Sequence, residues 1–184
     1  MKIISGKYKG RILKGFDING TRPTMNRIKE SLFGMIQDFI KDSVVLDLYA
    51  GSGNLAIEAL SNGAKKAYLV DNNKVAIKTI KENLSNLKIE NALVTKVDAS
   101  YFLEKEIENK TKYDLIFLDP PYNTSELEKI LDIINRNLDI LNNAGIIVCE
   151  TSKDMYFDKY DNLFIYKKRN YKDKNIFILK CKVK

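Results

Sequence analysis

The chain has 184 residues, 45% apolar and 30% charged, with two cysteines, no histidine and a net charge of +7. That length fits one domain with a sizeable core, no apolar run approaches the roughly 20 residues that span a bilayer, and Met1-Lys-Ile-Ile-Ser-Gly6 lacks a leader-like apolar segment, so a cytoplasmic protein is expected. Lack of histidine excludes Ser-His and Cys-His nucleophiles and a histidine general base. Cys149 and Cys181 are far apart without metal-ligand spacing, so no metal is expected and both thiols should be reduced, buried and inert.

Charge is segregated along the chain. Residues 1–41 carry nine Lys/Arg against three Asp/Glu, residues 42–151 twelve against seventeen, and residues 152–184 ten against four. Basic ends around an acidic middle fit a polyanion gripped by the ends while the middle holds the chemistry. Lysine-rich solvated faces would explain the total charge but not this segregation.

In chain order, residues 2–14 predict two short strands around glycine turns. Ile28, Leu32, Met35, Ile36 and Phe39 then mark an amphipathic helix. Residues 1–41 read as an appended basic arm, a hairpin and a helix, and residues 42–184 as the main domain. From residue 44 short apolar runs alternate with helical stretches at the spacing of βαβ units. Strands are predicted at 44–48, 66–70, 92–97, 113–118 and 145–150, and helices at 54–62, 73–87, 99–109 and 125–141. Two further strands, about 162–168 and 175–183, flank the turn-like Arg169–Lys174 as an antiparallel pair. The predicted fold is α/β, a doubly wound and mostly parallel sheet with a final hairpin. No repeat, low-complexity tract or flexible linker interrupts it.

The first strand runs into Asp47-Leu-Tyr-Ala-Gly-Ser-Gly53. Glycines at 51 and 53 allow a sharp turn and a close backbone approach to a ligand, and the next helix aims its first amides at the same spot. Gly51-x-Gly53-x-x-Ala56, with Asp71 beyond it, also satisfies the dinucleotide fingerprint, so NAD is a candidate. Asp47 favours S-adenosylmethionine instead, because a carboxylate there would repel a pyrophosphate but attract an ammonium. Asp71 would bind ribose hydroxyls and Asp98, closing the next strand, the adenine amine. Acids also cap helices that follow strands, and for Asp98 alone that reading weighs equally. Tyr49, Ala50, Ser52, Asn72 and Ala99 complete the expected cofactor site.

Asp119-Pro-Pro-Tyr122 follows the apolar run 113–118. A carboxylate, a rigid turn and an aromatic ring at a strand end suit methyl transfer to an exocyclic amine of a base. Asp119 and the Pro120 carbonyl would accept the amine's hydrogens, Pro121 would preset the turn, and Tyr122 would stack on the base. No strong base is required. A plain turn would account for the prolines but not for the flanking Asp and Tyr.

With these residues in view, the sequence resembles the RsmD family, bacterial methyltransferases acting on guanine N2 of 16S ribosomal RNA. The resemblance covers nearly the whole chain. It rests on Gly6-Lys-Tyr-Lys-Gly-Arg11, Thr21-Arg-Pro-Thr24 with Arg27, Lys29 and Glu30, then 46–53 followed by Glu58-Ala-Leu60, and 119–122. It implies a Rossmann-like class I methyltransferase sheet, S-adenosyl-L-methionine as cofactor, 16S rRNA within the assembling small subunit as partner, and an N-terminal arm that holds RNA. Lys7, Lys9, Arg11, Arg22, Thr24, Arg27 and Lys29 would line the RNA side, and a monomer is expected. The family commonly has a Tyr-Gly-Asp-Thr-like turn where this chain has Tyr171-Lys-Asp-Lys174, so no substrate contact is assigned there. The rivals are a DNA adenine-N6 methyltransferase, for which the chain has no room for a target-recognition insertion, and a catalytically silent RNA-binding protein, disfavoured by the intact motifs. An NAD-dependent oxidoreductase would need a proton relay that is absent.

Overall fold

Successive residues of the central strands enter opposite cores. Val45, Leu115, Phe117, Ile146 and Val148 pack into one; Leu46, Ile116, Leu118, Ile147 and Cys149 pack into the other. A strand covered on both faces reads as a continuous apolar run, which is why these segments stand out in the sequence. In the computed structural model, which describes residues 1–15, 23–121, 124–152, 155–172 and 174–182, the strands are β1 (Val44–Asp47), β2 (Lys66–Asp71), β3 (Ala92–Lys96), β4 (Tyr113–Leu118), β5 (Leu141–Thr151), β6 (Leu163–Asn170) and β7 (Asn175–Cys181). They form a single sheet in the order β3-β2-β1-β4-β5-β7-β6. The first five are parallel, β7 runs antiparallel to β5, and β6 pairs antiparallel with β7.

Helices α1 (Pro23–Ile36), α2 (Asn54–Ser61) and α3 (Lys74–Leu87) supply Leu32, Phe33, Ile57, Ile80 and Leu84 to the first core. Helices α4 (Ala99–Glu108) and α5 (Thr124–Arg136) supply Leu103, Leu127, Ile130 and Ile134 to the second. Each such fully buried aliphatic side chain contributes roughly 1.5–3 kcal/mol. Cys149 is buried as expected, and burial pushes its thiol up; Cys181 is only half-buried, a correction to the expected burial.

The N-terminal segment is woven into the first core. Ile3 and Leu13 are buried in it beside α1 residues. Instead of two strands, the described segment makes one isolated bridge, Lys2 to Ile12, with Ile3 N–H on the Arg11 carbonyl at 3.0 Å and Leu13 N–H on the Met1 carbonyl at 2.8 Å. Gly6, at φ +79°, lies so close to α2 that a Cβ there would sit 1.9 Å from the Ser61 carbonyl oxygen. The neighbouring Lys7 N–H donates to that carbonyl at 2.7 Å. Only glycine permits this approach.

The stretch predicted as helix to residue 141 ends earlier. Asn137 leaves helical geometry at φ −135°, ψ 59°, and its side-chain amide donates to the Ile133 carbonyl at 2.8 Å. After a 3₁₀ turn over Leu138–Ile140, β5 begins at Leu141, four residues before the predicted start. Its early part is polar, with Asn142 donating to the Asp114 carboxylate at 2.7 Å, and a register shift near Tyr113 absorbs the irregularity.

Candidate active site

Chain order reverses between β1 and β4. The crevice beyond the carboxyl ends of these two strands is where a doubly wound sheet binds ligands, because the connecting helices leave toward opposite faces. Asp47 ends β1 and pairs with Phe117 of β4; Asp119 follows β4. Asp47 is 1% exposed, and its Oδ1 has no hydrogen-bond partner among the described residues. Burial first and the nearby Asp119 second push its carboxyl up to about 8, against the opposing pull of the Tyr49 and Ala56 backbone amides. An orphaned acceptor of this kind fits a cation arriving with its own hydrogens, such as an ammonium.

The turn after β1 is held by its own chain. Ala50 N–H donates to the Val70 carbonyl at 3.0 Å, Gly51 N–H to Asp71 Oδ2 at 2.9 Å, and Gly53 N–H to the Ala50 carbonyl at 2.7 Å. The buried Ser52 has its carbonyl fixed by the Asn83 amide at 2.9 Å. Gly53 sits at φ +80°, and a Cβ there would press on Leu69 and Ile57 at 3.1 and 3.2 Å. The left-handed conformation is the sharp turn expected of this glycine, and tight helix-to-sheet packing is a second reason for it that the sequence did not show. Tyr49 is half-buried, and its hydroxyl lies 3.4 Å from Glu126 Oε2 on α5. This contact ties the glycine turn to the helix that follows the Asp119 segment.

Asp71 thus touches the turn directly, and its Oδ1 also accepts from Asn73 N–H at 2.8 Å; Asn72 between them is exposed. Asp98 is a helix cap, accepting from Ser100 N–H at 2.9 Å and Tyr101 N–H at 3.2 Å, with Ala99 buried behind it. The Ser100 hydroxyl and these amides hold the Asp98 carboxyl below its ordinary value.

Beyond β4, Pro120 is buried and Pro121 exposed, while Tyr122 lies outside the described residues. Asp119 keeps 39% of its side chain exposed. Two charged neighbours not singled out in the sequence surround it. Glu150 near the end of β5 is buried, and Lys174, from the turn before β7, bridges Glu150 Oε2 at 2.5 Å and Asp119 Oδ2 at 3.6 Å. Burial and then Glu150 push the Asp119 carboxyl up, and Lys174 pulls it only part of the way back, to about 7. The register of β4 on β5, Leu118 opposite Cys149, sets Asp119 just past β4 beside Glu150 in the last residues of β5, a signal readable only once the strand pairing is known.

Of the expected RNA-side residues, Lys7, Lys9, Arg11 and Arg27 are exposed; Arg22 and the side chain of Thr24 lie outside the described residues. Lys29 is a correction. It is 4% exposed, and its ammonium meets Glu58 Oε2 at 2.8 Å, Asn54 Oδ1 at 2.8 Å and the Lys2 carbonyl at 2.7 Å, leaving nothing for a phosphate. Burial lowers its pKa, while Glu58 opposes that fall. Among the described residues no helix is long and apolar enough to cross a membrane.

Comparison with known proteins agrees with this arrangement. The family model described as "Conserved hypothetical protein 95" matches residues 1–180. Ribosomal RNA small subunit methyltransferase D of Haemophilus influenzae is 38% identical over 156 residues, 84% of this chain and 80% of its own. The protein of the same name from Buchnera aphidicola is 36% identical over 167 residues, 91% and 86% of the two chains. The solved structure described as "Putative methyltransferase yhhF from Escherichia coli" superposes with a TM-score of 0.87 at 28% identity, covering 100% of this chain and 99% of that one. Sequence, sheet order and the acid-ended crevice thus agree that this chain belongs to the RsmD family of S-adenosylmethionine-dependent methyltransferases.

Proposed function

We propose that the protein methylates the exocyclic N2 amine of a guanine in 16S ribosomal RNA, within the assembling small subunit. The observation that carries this is the pair of carboxylates on neighbouring strands, each suited to a different partner: Asp47 is buried with a free acceptor, and Asp119 is partly open to solvent. The names of the relatives, ribosomal RNA small subunit methyltransferase D, supply the RNA class.

Asp47 would hold the cofactor's ammonium, the Tyr49–Gly53 turn its amino-acid end, Asp71 and Asn72 its ribose, and Asp98 and Ala99 its adenine. S-adenosylmethionine supplies the electrophilic methyl group. Asp119 and the Pro120 carbonyl accept hydrogens of the target amine, which favours a pyramidal nitrogen with an available lone pair. Pro121 stiffens the turn, and Tyr122 is assigned base stacking from its place in the motif. No side chain need act as a strong base, since a methylated ammonium loses its proton readily to water. Lys7, Lys9, Arg11 and Arg27, all exposed, would meet phosphates, with Arg22 and Thr24 assigned to the same role from sequence.

The test is incubation of the protein with labelled S-adenosylmethionine and three unmethylated substrates: small ribosomal subunits, free 16S RNA and genomic DNA, each then digested to nucleosides. Label in N2-methylguanosine from subunits is the expected result. Label in N6-methyladenine from DNA, or none from any substrate, would overturn the reading.

A further inference from the structure

The β6–β7 hairpin delivers a cation to the reaction crevice. Asn175 pairs with Thr151, so the residue before it is carried over the end of β5. The Tyr171 N–H closes the turn on the Lys174 carbonyl at 2.7 Å. From there the Lys174 ammonium reaches Glu150 at 2.5 Å and Asp119 at 3.6 Å. Glu150 comes from β5, Asp119 from the segment after β4, and Asp47 from β1 is the third acid whose charge reaches this group. Carboxylates thus stand at or just past the ends of three adjacent strands, and among the described residues Lys174 is the cation that bears on Asp119.

We propose that Lys174 is a positioning residue for methyl transfer, its ammonium bridging Glu150 and Asp119 and so holding the Asp119 carboxylate as a hydrogen-bond acceptor for the target amine. This rests on the reading of Asp119 given above. An amine presents N–H donors; an Asp119 that carried a proton would offer one O–H donor against them and lose half its acceptor face. Burial and Glu150 both push Asp119 toward that protonated form, and Lys174 is what opposes them. Burial also works to depress the Lys174 ammonium, but Asp119 and Glu150 outweigh it and its pKa is raised, so the lysine stays charged and is no proton acceptor. A neutral side chain in its place would leave two carboxylates side by side with no compensating charge.

Two measurements on the full chain test this. The first follows the Asp119 carboxyl by carbon NMR through a pH titration without substrate, the resonance being assigned with Asp119→Asn. In Lys174→Met its midpoint should rise by about one unit or more, and in Lys174→Arg it should stay near that of the unaltered protein. An unchanged midpoint in Lys174→Met overturns the proposal, and because no substrate is present this result stands apart from any failure to find N2-methylguanosine. The second is the pH profile of kcat/KM for methyl transfer. Lys174→Met should lose about tenfold near pH 7, recover toward pH 9, and recover at pH 7 when Glu150→Gln is added. A loss equal at every pH, unrelieved by Glu150→Gln, would mean that Lys174 only shapes the hairpin.

Discussion

Two lysines from the basic ends of the chain reach glutamates of its acidic middle, and their surroundings differ. Lys29 and Glu58 are 4% and 0% exposed, and Glu58 also accepts the backbone N–H groups of Ile4 at 3.0 Å and Ser5 at 2.9 Å. Every strong partner in that group is matched, and the pair clamps the N-terminal segment to α2. Lys174 is 35% exposed and faces two carboxylates, Glu150 and Asp119. One lysine for two acids leaves negative charge over, and the acid left over is the one open to solvent. The same chemical pairing thus serves as a structural clamp where charges balance in a dry site. It serves as a poised acceptor where they do not.

The largest expected effect separates the two pairs by stability. Lys29→Met leaves Glu58 buried without its cation and should cost about 3–5 kcal/mol, a fall in melting temperature of roughly 10 °C. Lys174→Met should cost less, about 1–2 kcal/mol, because the lysine is 35% exposed and the solvent-open Asp119 can take up a proton. Thermal unfolding of both variants decides the matter, and equal losses would break the distinction between clamp and acceptor.

Next in size is Asp119→Ala. It removes the acceptor and keeps Asp47 and the glycine turn in place, so methyl transfer should fall by roughly 10²–10³ while cofactor affinity is retained or, with one repelling carboxylate fewer beside Asp47, somewhat raised, as calorimetry and single-turnover assays would show. Normal transfer by this variant would remove Asp119 from the chemistry.

Asp47 extends the comparison to a carboxylate that no lysine meets among the described residues. Its pKa of about 8 in the fold stands above an ordinary 3.8, so the ligand-free fold favours the proton, and the stability this contributes is lost as pH rises from about 4 through about 8. Asp47→Asn should therefore raise the melting temperature of the ligand-free protein more at pH 8 than at pH 5. Binding an ammonium calls for the ionised form. Affinity for S-adenosylmethionine should climb by up to about tenfold per pH unit between pH 6 and 7 in the unaltered protein. In Asp47→Asn it should be about tenfold or more weaker at pH 8 and nearly flat with pH, and a matching slope in both proteins would place the cofactor's ammonium elsewhere.

The same contrast explains what was legible in the sequence. Strands such as Tyr113–Leu118, buried on both faces, and acids ending such strands, Asp47 and Asp119, declare themselves by local pattern. The polar start of β5 did not, because Asn142 finds its partner in Asp114, 28 residues away in sequence. Lys29 passes for the phosphate contact that the resemblance implies because its partner, Glu58, lies on another helix and nothing local marks a lysine as buried. The Glu150–Lys174 group was missed for a related reason. Its members are 24 residues apart and meet only through the antiparallel pairing of β5 and β7. Local chemistry can be read from spacing, whereas charge compensation depends on the strand order.

The smallest expected effect concerns cations of the N-terminal segment that are not drawn inward. Arg11 is exposed on the loop that Gly6 seats against α2, so unlike Lys29 it is free to meet a polyanion. Arg11→Glu should leave the unfolding free energy within about 0.5 kcal/mol of the unaltered protein, since surface substitutions away from packed features rarely do more. It should raise the apparent KM for small subunits several-fold and lower the slope of log affinity against log salt by about one for the lost phosphate contact. Salt-dependent binding measured beside Lys29→Met makes the contrast direct: one variant should change binding without stability, the other stability far more than binding. If Arg11→Glu left both the KM and the salt slope unchanged, the basic N-terminal segment would owe its charge to packing and solvation, and the grip on RNA would have to lie elsewhere on the surface.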